Sequence, residues 1–106
     1  MKLWIDDCRP APPGYYWCKS VNEAKKVIVY YGSWIDWDNN IVDMIELIDI
    51  DHDAGTYADN GGDYIKLLDW LEETGRNYPI RIHSMNVVGR QNMEAICRKN
   101  GWTIVN

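Results

Sequence analysis

The residues Ile48–Gly55, IDIDHDAG, decide the fold because they join a strand-like run to a dense cluster of acidic side chains. Apolar and β-branched residues dominate the stretch from Met44 to Ile50, which predicts a buried strand over 44–50. Carboxylates gathered at its end repel one another, and a fold that collects them usually offsets the repulsion with a cation, a proton or a substrate. A plain polar turn is the alternative, since aspartate and glycine are common in turns.

Strands and helices alternate along the chain on both sides of this stretch. Apolar residues spaced i, i+3, i+4 and i+7 predict a helix that Ser20 caps and Gly32 ends, and the same spacing begins at Tyr64 and stops before Gly75. The prolines and glycine of Cys8–Gly14 exclude regular structure there. One α/β domain over 1–106 with a mostly parallel sheet follows from this alternation. The other predicted elements are strands at 3–5, 15–18, 80–82 and 102–105, a turn over 86–89, and a helix that carries Met93 and ends at Asn100–Gly101; residues 33–40 give only a weak signal.

Three of the predicted strands end in polar residues, which are Asp6-Asp7, Asp51-His52-Asp53 and His83-Ser84. In open parallel sheets, ligands bind beyond the carboxyl ends of the strands, where the strand order reverses. If these strands are neighbours, the three tips share one crevice. The sequence therefore favours a binding or catalytic site over a plain turn.

Composition limits the partners and the location of the protein. The 106 residues carry 11 Lys and Arg against 16 Asp and Glu, a net charge of -5, which argues against duplex nucleic acid and anionic membranes. A small phosphorylated ligand remains compatible with this charge. Three cysteines without paired spacing are expected to be reduced thiols, and no secretory leader or membrane span is visible, so a cytoplasmic location is expected.

Three motifs add a family resemblance. IDDCRP from Ile5, DIDHDAG from Asp49 with the later Gly62-Asp63-Tyr64, and HSMNVVGRQNM from His83 resemble motifs of the cyclic-phosphate processing receiver domain family. More broadly, Asp51 and Ser84 resemble the phosphoacceptor and the switch residue of response-regulator receivers. The last strand lacks the lysine that neutralises a receiver phosphoaspartate, which argues against aspartyl phosphotransfer.

The resemblance implies a flavodoxin-like three-layer sandwich with five strands in the order 2-1-3-4-5 and about three helices. A Pro-rich loop would replace the first receiver helix, and the direction of the strand over 15–18 stays open because the connection is so short. It also implies that the domain handles cyclic phosphates on nucleotides, RNA ends or ADP-ribose derivatives.

The candidate catalytic residues are the two histidines. His52 and His83 could act together as an acid/base pair on a cyclic phosphodiester, because an imidazole titrates near neutral pH, and Asp51 and Asp53 could orient them. Each histidine could instead simply cap a loop. Phosphate oxygens could be held by Arg9, Ser84, Asn86, Gly89 and Arg90, although Arg9 could pair with Asp7, and Asn86 could serve only the turn.

The acidic cluster has two possible uses. Asp6, Asp7 and Asp51 could bind Mg²⁺ or Mn²⁺, since hard cations prefer carboxylate oxygens. The aspartates could equally orient the histidines. Asp49 falls where a central strand is buried on both faces and receives no role.

Two functions remain open from the sequence. The first is a phosphoesterase that binds and opens cyclic phosphates, that is, a cyclic phosphodiesterase. The second is a non-catalytic receiver-like module that sequesters a nucleotide or binds a protein. Trp34 and Trp37 could form a partner surface or stack on a base, whereas the other four tryptophans are expected in the core.

Overall fold

The computed structural model describes residues 1–106, and its main element is a five-stranded parallel sheet. In chain order its strands are β1 (Lys2–Ile5), β2 (Tyr15–Cys18), β5 (Leu47–Ile50), β6 (Ile80–Ile82) and β7 (Ile104–Val105). The remaining elements are the helices α1 (Val21–Tyr31), α2 (Ile65–Glu73) and α3 (Val87–Asn100), a 3₁₀ turn (Gly55–Asp59), and a hairpin of β3 (Trp34–Ile35) and β4 (Ile41–Val42). The order β2-β1-β5-β6-β7 confirms the predicted flavodoxin-like topology.

The β2 strand, whose direction the sequence left open, runs parallel to β1. Residues 6–14 make this parallel connection without a helix, so the Pro-rich loop replaces the first receiver helix as expected. Its carbonyl at Arg9 accepts a hydrogen bond of 2.8 Å from the indole Nε1 of Trp4. The loop therefore lies against the sheet where a helix would otherwise pack.

The two faces of the sheet differ in chemistry. One face carries the aliphatic residues of β1, β5 and β6, which form a single apolar core with the buried sides of all three helices. The opposite face places Trp4, Asp49 and Arg81 side by side on neighbouring strands. This difference arises because strand side chains alternate between the two faces. The helices cover the aliphatic face. The Pro-rich loop, whose Arg9 carbonyl binds Trp4, forms the remaining layer on the other face.

The helix signals in the sequence are confirmed. The Ser20 side chain accepts a hydrogen bond of 3.0 Å from the Glu23 N–H and caps α1. Gly101 ends α3 with φ of 69°, a conformation that favours glycine. No helix is long and apolar enough to cross a membrane.

Four local predictions need correction or completion. The strand over 44–50 begins only at Leu47, because the Asp43 carboxylate binds the Ile45 N–H and holds the preceding residues in a loop. The prediction of a turn over 86–89 is wrong, since Val87 already begins α3. The last strand starts at Ile104 rather than 102, because the Trp102 N–H returns to the helix at the Cys97 carbonyl. Residues 33–40, which gave a weak signal, contribute β3 and the turn of the hairpin.

Candidate active site at the carboxyl edge of the sheet

A chain of acidic side chains that alternate with basic ones runs along the polar face to the carboxyl edge of the sheet. Successive members lie between 2.6 and 3.3 Å apart. This charge chain consists, in order, of Arg81, Asp49, His83, Asp6, Arg9 and Asp51. The strand tips predicted to share a crevice are therefore connected directly, and each acidic group in the chain lies beside a basic one.

His83 lies at the centre of the charge chain. Its Nδ1 contacts Asp49 Oδ1 at 2.6 Å, and its Nε2 contacts Asp6 Oδ2 at 2.9 Å. The ring stacks on Trp4 at a centroid distance of 3.9 Å, and the side chain is only 7% exposed. Ionised carboxylates only accept hydrogen bonds, so the imidazolium form, with a proton on each nitrogen, satisfies both contacts. Neither nitrogen is left for a substrate.

Asp6 is fully buried and accepts several hydrogen bonds. Its Oδ1 binds the N–H groups of Cys8 at 3.0 Å and Arg9 at 2.9 Å. Although burial opposes ionisation, these two N–H groups and His83 hold the pKa of Asp6 below its ordinary value. The stabilisation is therefore complete above the unfolded carboxyl pKa of about 4 and is lost as the pH falls through the lower pKa of the folded protein.

Asp51 links the charge chain to the second histidine. Its Oδ2 binds Arg9 Nη2 at 3.2 Å, while its Oδ1 accepts a hydrogen bond of 2.8 Å from the backbone N–H of His52. The Arg9 side chain is 47% exposed, so part of its guanidinium faces solvent beside this edge. A phosphate oxygen could therefore reach Arg9 without breaking the buried part of the network.

His52 differs from His83 in having one nitrogen without a partner. Its Nδ1 contacts Asp53 Oδ1 at 2.8 Å, which fixes the neutral tautomer with the proton on Nδ1. Nε2 makes no hydrogen bond and is not sealed from solvent. The ring lies against Gly89 in the first turn of α3, where an added Cβ would come within 2.7 Å of Nε2. This dyad can accept a proton at Nε2.

The loop that carries His52 is held by the Gly62-Asp63-Tyr64 motif. The Asp63 carboxylate accepts a hydrogen bond of 3.1 Å from the Ala54 N–H, and the Tyr64 N–H donates to the His52 carbonyl at 3.1 Å. Gly55 has φ of 55°, and a Cβ at this position would meet Asp7 Oδ2 at 2.5 Å. The motif therefore positions the dyad from outside the site.

Most of the predicted phosphate-binding residues already have other partners. The Ser84 hydroxyl accepts from the Asn86 N–H at 3.1 Å, and the Asn86 side-chain oxygen Oδ1 accepts from the Gly89 N–H at 2.9 Å, so both act in capping α3. Arg90 pairs with Glu94 at 3.1 Å on the surface of the same helix. The N–H groups of Val87 and Val88 have no partner, and the positive end of the helix dipole lies there.

The donor set fits a metal ion only in part. Ligand atoms of Asp6, Asp51 and His83 lie within 4.8 Å of one another, as do those of Asp6, Asp7 and Cys8. The predicted trio of Asp6, Asp7 and Asp51 does not form such a group. Because the Arg9 guanidinium already lies between the carboxylates of Asp6 and Asp51, a cation there would have to displace it.

Replacing Arg9 with glutamine is expected to make the fold sensitive to Mg²⁺. The substitution removes the cation between Asp6 and Asp51, and an ion present at about 100 times its Kd stabilises a fold by about 2.7 kcal/mol. Adding Mg²⁺ at that ratio should raise the melting temperature of Arg9→Gln by about 10 °C or more, and that of the unmodified protein by less than about 1 °C. An equal rise in both proteins would contradict this and support the predicted site at Asp6, Asp7 and Asp51.

Three contributors to the site were missed by sequence reasoning. Asp49 was given no role, Trp4 was assigned to the core, and Arg81 was not considered. The one available signal was an acidic residue inside a strand that should be buried on both faces, which requires a basic partner. The sequence alone does not name that partner, because the partner is identified by the strand register, which places Asp49 beside Arg81.

A parallel sheet of this strand order, with an acidic pair, a central aspartate and a serine at its carboxyl edge, defines a receiver-like α/β domain. The family model of the cyclic-phosphate processing receiver domain matches residues 1–99, and the chain belongs to this family. No curated protein and no solved structure gives a significant match to this chain. The family name connects the domain with the processing of cyclic phosphates.

Proposed function

We propose that this domain binds a cyclic phosphodiester at the carboxyl edge of the sheet and opens it with water, with His52 as the general base. The observation that carries the proposal is the dyad in which Asp53 binds Nδ1 of His52 and leaves Nε2 without a partner. The family supplies the class of ligand, and the dyad supplies the chemistry.

The phosphate would be held between two groups of donors. The first group is the exposed part of the Arg9 guanidinium. The second group is the unpartnered N–H groups of Val87 and Val88 at the start of α3. His52 connects the two groups, because its backbone N–H binds the same Asp51 carboxylate as Arg9 and its ring contacts the first turn of α3. Donors placed in this way would stabilise the charge that develops on the phosphate oxygens.

In the reaction, a water molecule attacks phosphorus while Nε2 of His52 accepts one of its protons. The oxygen of water forms the new P–O bond, and the bond from phosphorus to one ring oxygen breaks. The released alkoxide takes a proton from solvent at the open edge, and the imidazolium returns its proton to solvent. The product is a phosphomonoester, so atoms and charge balance without a redox partner.

In this proposal His83 is not a member of an acid/base pair, although the sequence predicted that it would be. Both of its nitrogens contact buried carboxylates, so it cannot give a proton to a leaving group without losing one of these contacts. We assign it as a positioning residue that holds Asp6, which in turn holds Arg9.

The proposal is tested by a ligand panel. Cyclic phosphates of nucleotides, RNA ends and ADP-ribose would be mixed with the protein, each beside its opened phosphomonoester as the matched control. Binding would be measured by calorimetry, and the recovered ligand identified by phosphorus NMR. We expect at least one cyclic member to bind and to be converted to the phosphomonoester.

A non-catalytic module is the second candidate. Opening a cyclic diester is fastest with both an acid and a base, but only one imidazole nitrogen at this site, Nε2 of His52, is free. A cyclic ligand that binds and is recovered intact would support this candidate. Absence of binding by every member of the panel would remove both the esterase and a module that sequesters a nucleotide, and would leave only a module that binds a protein.

Replacing Gly89 with alanine is expected to cost more in turnover than in stability. Alanine gains up to about 1 kcal/mol of helix propensity, but overpacking a buried contact costs about 1–3 kcal/mol, so the melting temperature should stay the same or fall by about 10 °C or less. The new methyl group would collide with the His52 ring and displace it, and turnover should fall by about 10²-fold. Gln91→Ala, on the exposed side of the same helix, serves as the control and should change neither quantity. Unchanged turnover in Gly89→Ala would contradict the position assigned to His52.

A further inference from the structure

A second surface, outside the charge chain and the His52–Asp53 pair, combines an exposed tryptophan with acidic residues. The hairpin of β3 and β4 is not part of the main sheet, and its strands carry the exposed side chains of Ile35 and Ile41. Trp37 at its tip is fully exposed. The hairpin packs on α1 through Trp34, whose ring centroid lies 5.6 Å from that of Tyr30. The apolar residues that remain exposed are large enough to indicate a surface that a partner covers.

The tip of the hairpin is ordered by its own hydrogen bonds. The Asp36 carboxylate accepts from the N–H groups of Asp38 and Asn40, both at 2.9 Å, and Asn39 takes the left-handed conformation with φ of 62°. Trp37 is therefore presented on a defined turn. The segment 33–46 contains four acidic residues and no basic one.

A groove of about 500 Å³ between α1 and α2 has the opposite character. Its apolar surface comes from Val29, Tyr30 and Trp70, and its rim from Lys25 and Lys26. Lys25 and Arg76 both lie over the Trp70 ring, at 5.8 and 4.7 Å from its centroid, so the groove is basic as well as aromatic. An acidic segment with an apolar anchor would complement this groove.

We propose that the groove receives the Trp37 hairpin of a second copy of this chain, and that the second copy receives the hairpin of the first. The fully exposed Trp37 shows that the groove is not filled by the hairpin of its own chain. Asp38 flanks Trp37, and Lys25 and Lys26 flank the groove, so both contacts of a two-fold dimer are matched in charge. Tryptophan is also the residue most enriched at the centres of such interfaces.

The first test is sedimentation equilibrium of the unmodified protein from about 5 to about 500 µM, a range that covers ordinary dimer affinities. We expect a monomer–dimer equilibrium. Trp37→Ala should raise the dimer dissociation constant by about 30-fold or more, whereas Val88→Ala, an exposed apolar residue on α3, should leave it unchanged. A monomer throughout the range would overturn the proposal, and so would a Trp37→Ala dimer of unchanged affinity.

A charge exchange tests the pairing itself. Lys25→Glu/Lys26→Glu places acid against Asp38, and Asp38→Lys places base against the lysines, so each variant alone should be monomeric where the unmodified protein dimerises. Mixing the two variants restores opposite charges at both contacts. The mixture should form a heterodimer with an affinity within about 10-fold of the unmodified dimer. Two variants that stay monomeric in the mixture, with the circular dichroism of the unmodified protein, would overturn the pairing.

Discussion

Replacing Asp49 with alanine is expected to lower the free energy of unfolding by about 1–3 kcal/mol, because the buried Nδ1 of His83 loses its hydrogen-bond acceptor. Asp49 is fully buried, and it binds His83 through Oδ1 at 2.6 Å and the partly exposed Arg81 through Oδ2 at 2.9 Å. For a domain of this size the melting temperature should fall by about 5–20 °C. Thermal and urea unfolding at neutral pH would measure the change.

The control for this prediction is Asp59→Ala, which removes the same charge from an exposed position at the end of the 3₁₀ turn. It should change stability by no more than about 0.5 kcal/mol. A double-mutant cycle with His83→Ala adds a specific test, since residues in one network give non-additive losses. Equal effects of Asp49→Ala and Asp59→Ala, or strictly additive losses in the cycle, would contradict the charge chain.

The fold could be predicted from the sequence because its signals are local. The cap at Ser20, the apolar spacing of α1 and the alternation of short apolar runs with helices each depend on residues close together in the chain. The errors fall at element ends. Asn86 was assigned to a turn, but its side chain caps α3, because the same residue type serves both structures.

The candidate site could be predicted only in part, because its contacts depend on register and on side-chain direction. The sequence placed Asp6, Asp51 and His83 at one edge, and the structure joins them. It could not show that His83 turns inward onto Trp4 and Asp49 while His52 keeps a free nitrogen. Two histidines at neighbouring strand tips look alike in a sequence, and only their hydrogen bonds show that one has both nitrogens occupied and the other has one nitrogen free.

Replacing His52 with alanine is expected to reduce turnover of a cyclic phosphate by about 10²- to 10⁴-fold, the usual contribution of a general base. The fold should remain, since the one hydrogen bond of the His52 side chain is to Asp53, whose side chain is 66% exposed. Asp53→Asn should give a smaller loss, because an amide can still bind Nδ1 but does not stabilise the imidazolium. Initial rates with saturating substrate, beside melting curves of each variant, would measure both effects.

The variant His83→Gln distinguishes the role of His83 from that of His52. If His83 only positions Asp6, the main effect of this variant should be a lower melting temperature. The molecules that stay folded should keep the pH–rate profile that His52 sets. An effect of His83→Gln on the pH profile equal to that of His52→Ala would restore the two-histidine mechanism predicted from the sequence.

The central claim, water attack on a cyclic phosphate with His52 as base, is tested most directly by the reaction in oxygen-labelled water. A cyclic phosphate from the panel would be incubated with the unmodified protein and with His52→Ala, and the product examined by phosphorus NMR and mass spectrometry. We predict a phosphomonoester that carries a single labelled oxygen on phosphorus, formed by the unmodified protein and lost with His52→Ala. An intact cyclic ester after incubation with the unmodified protein, or equal labelled product from both proteins, would contradict the account.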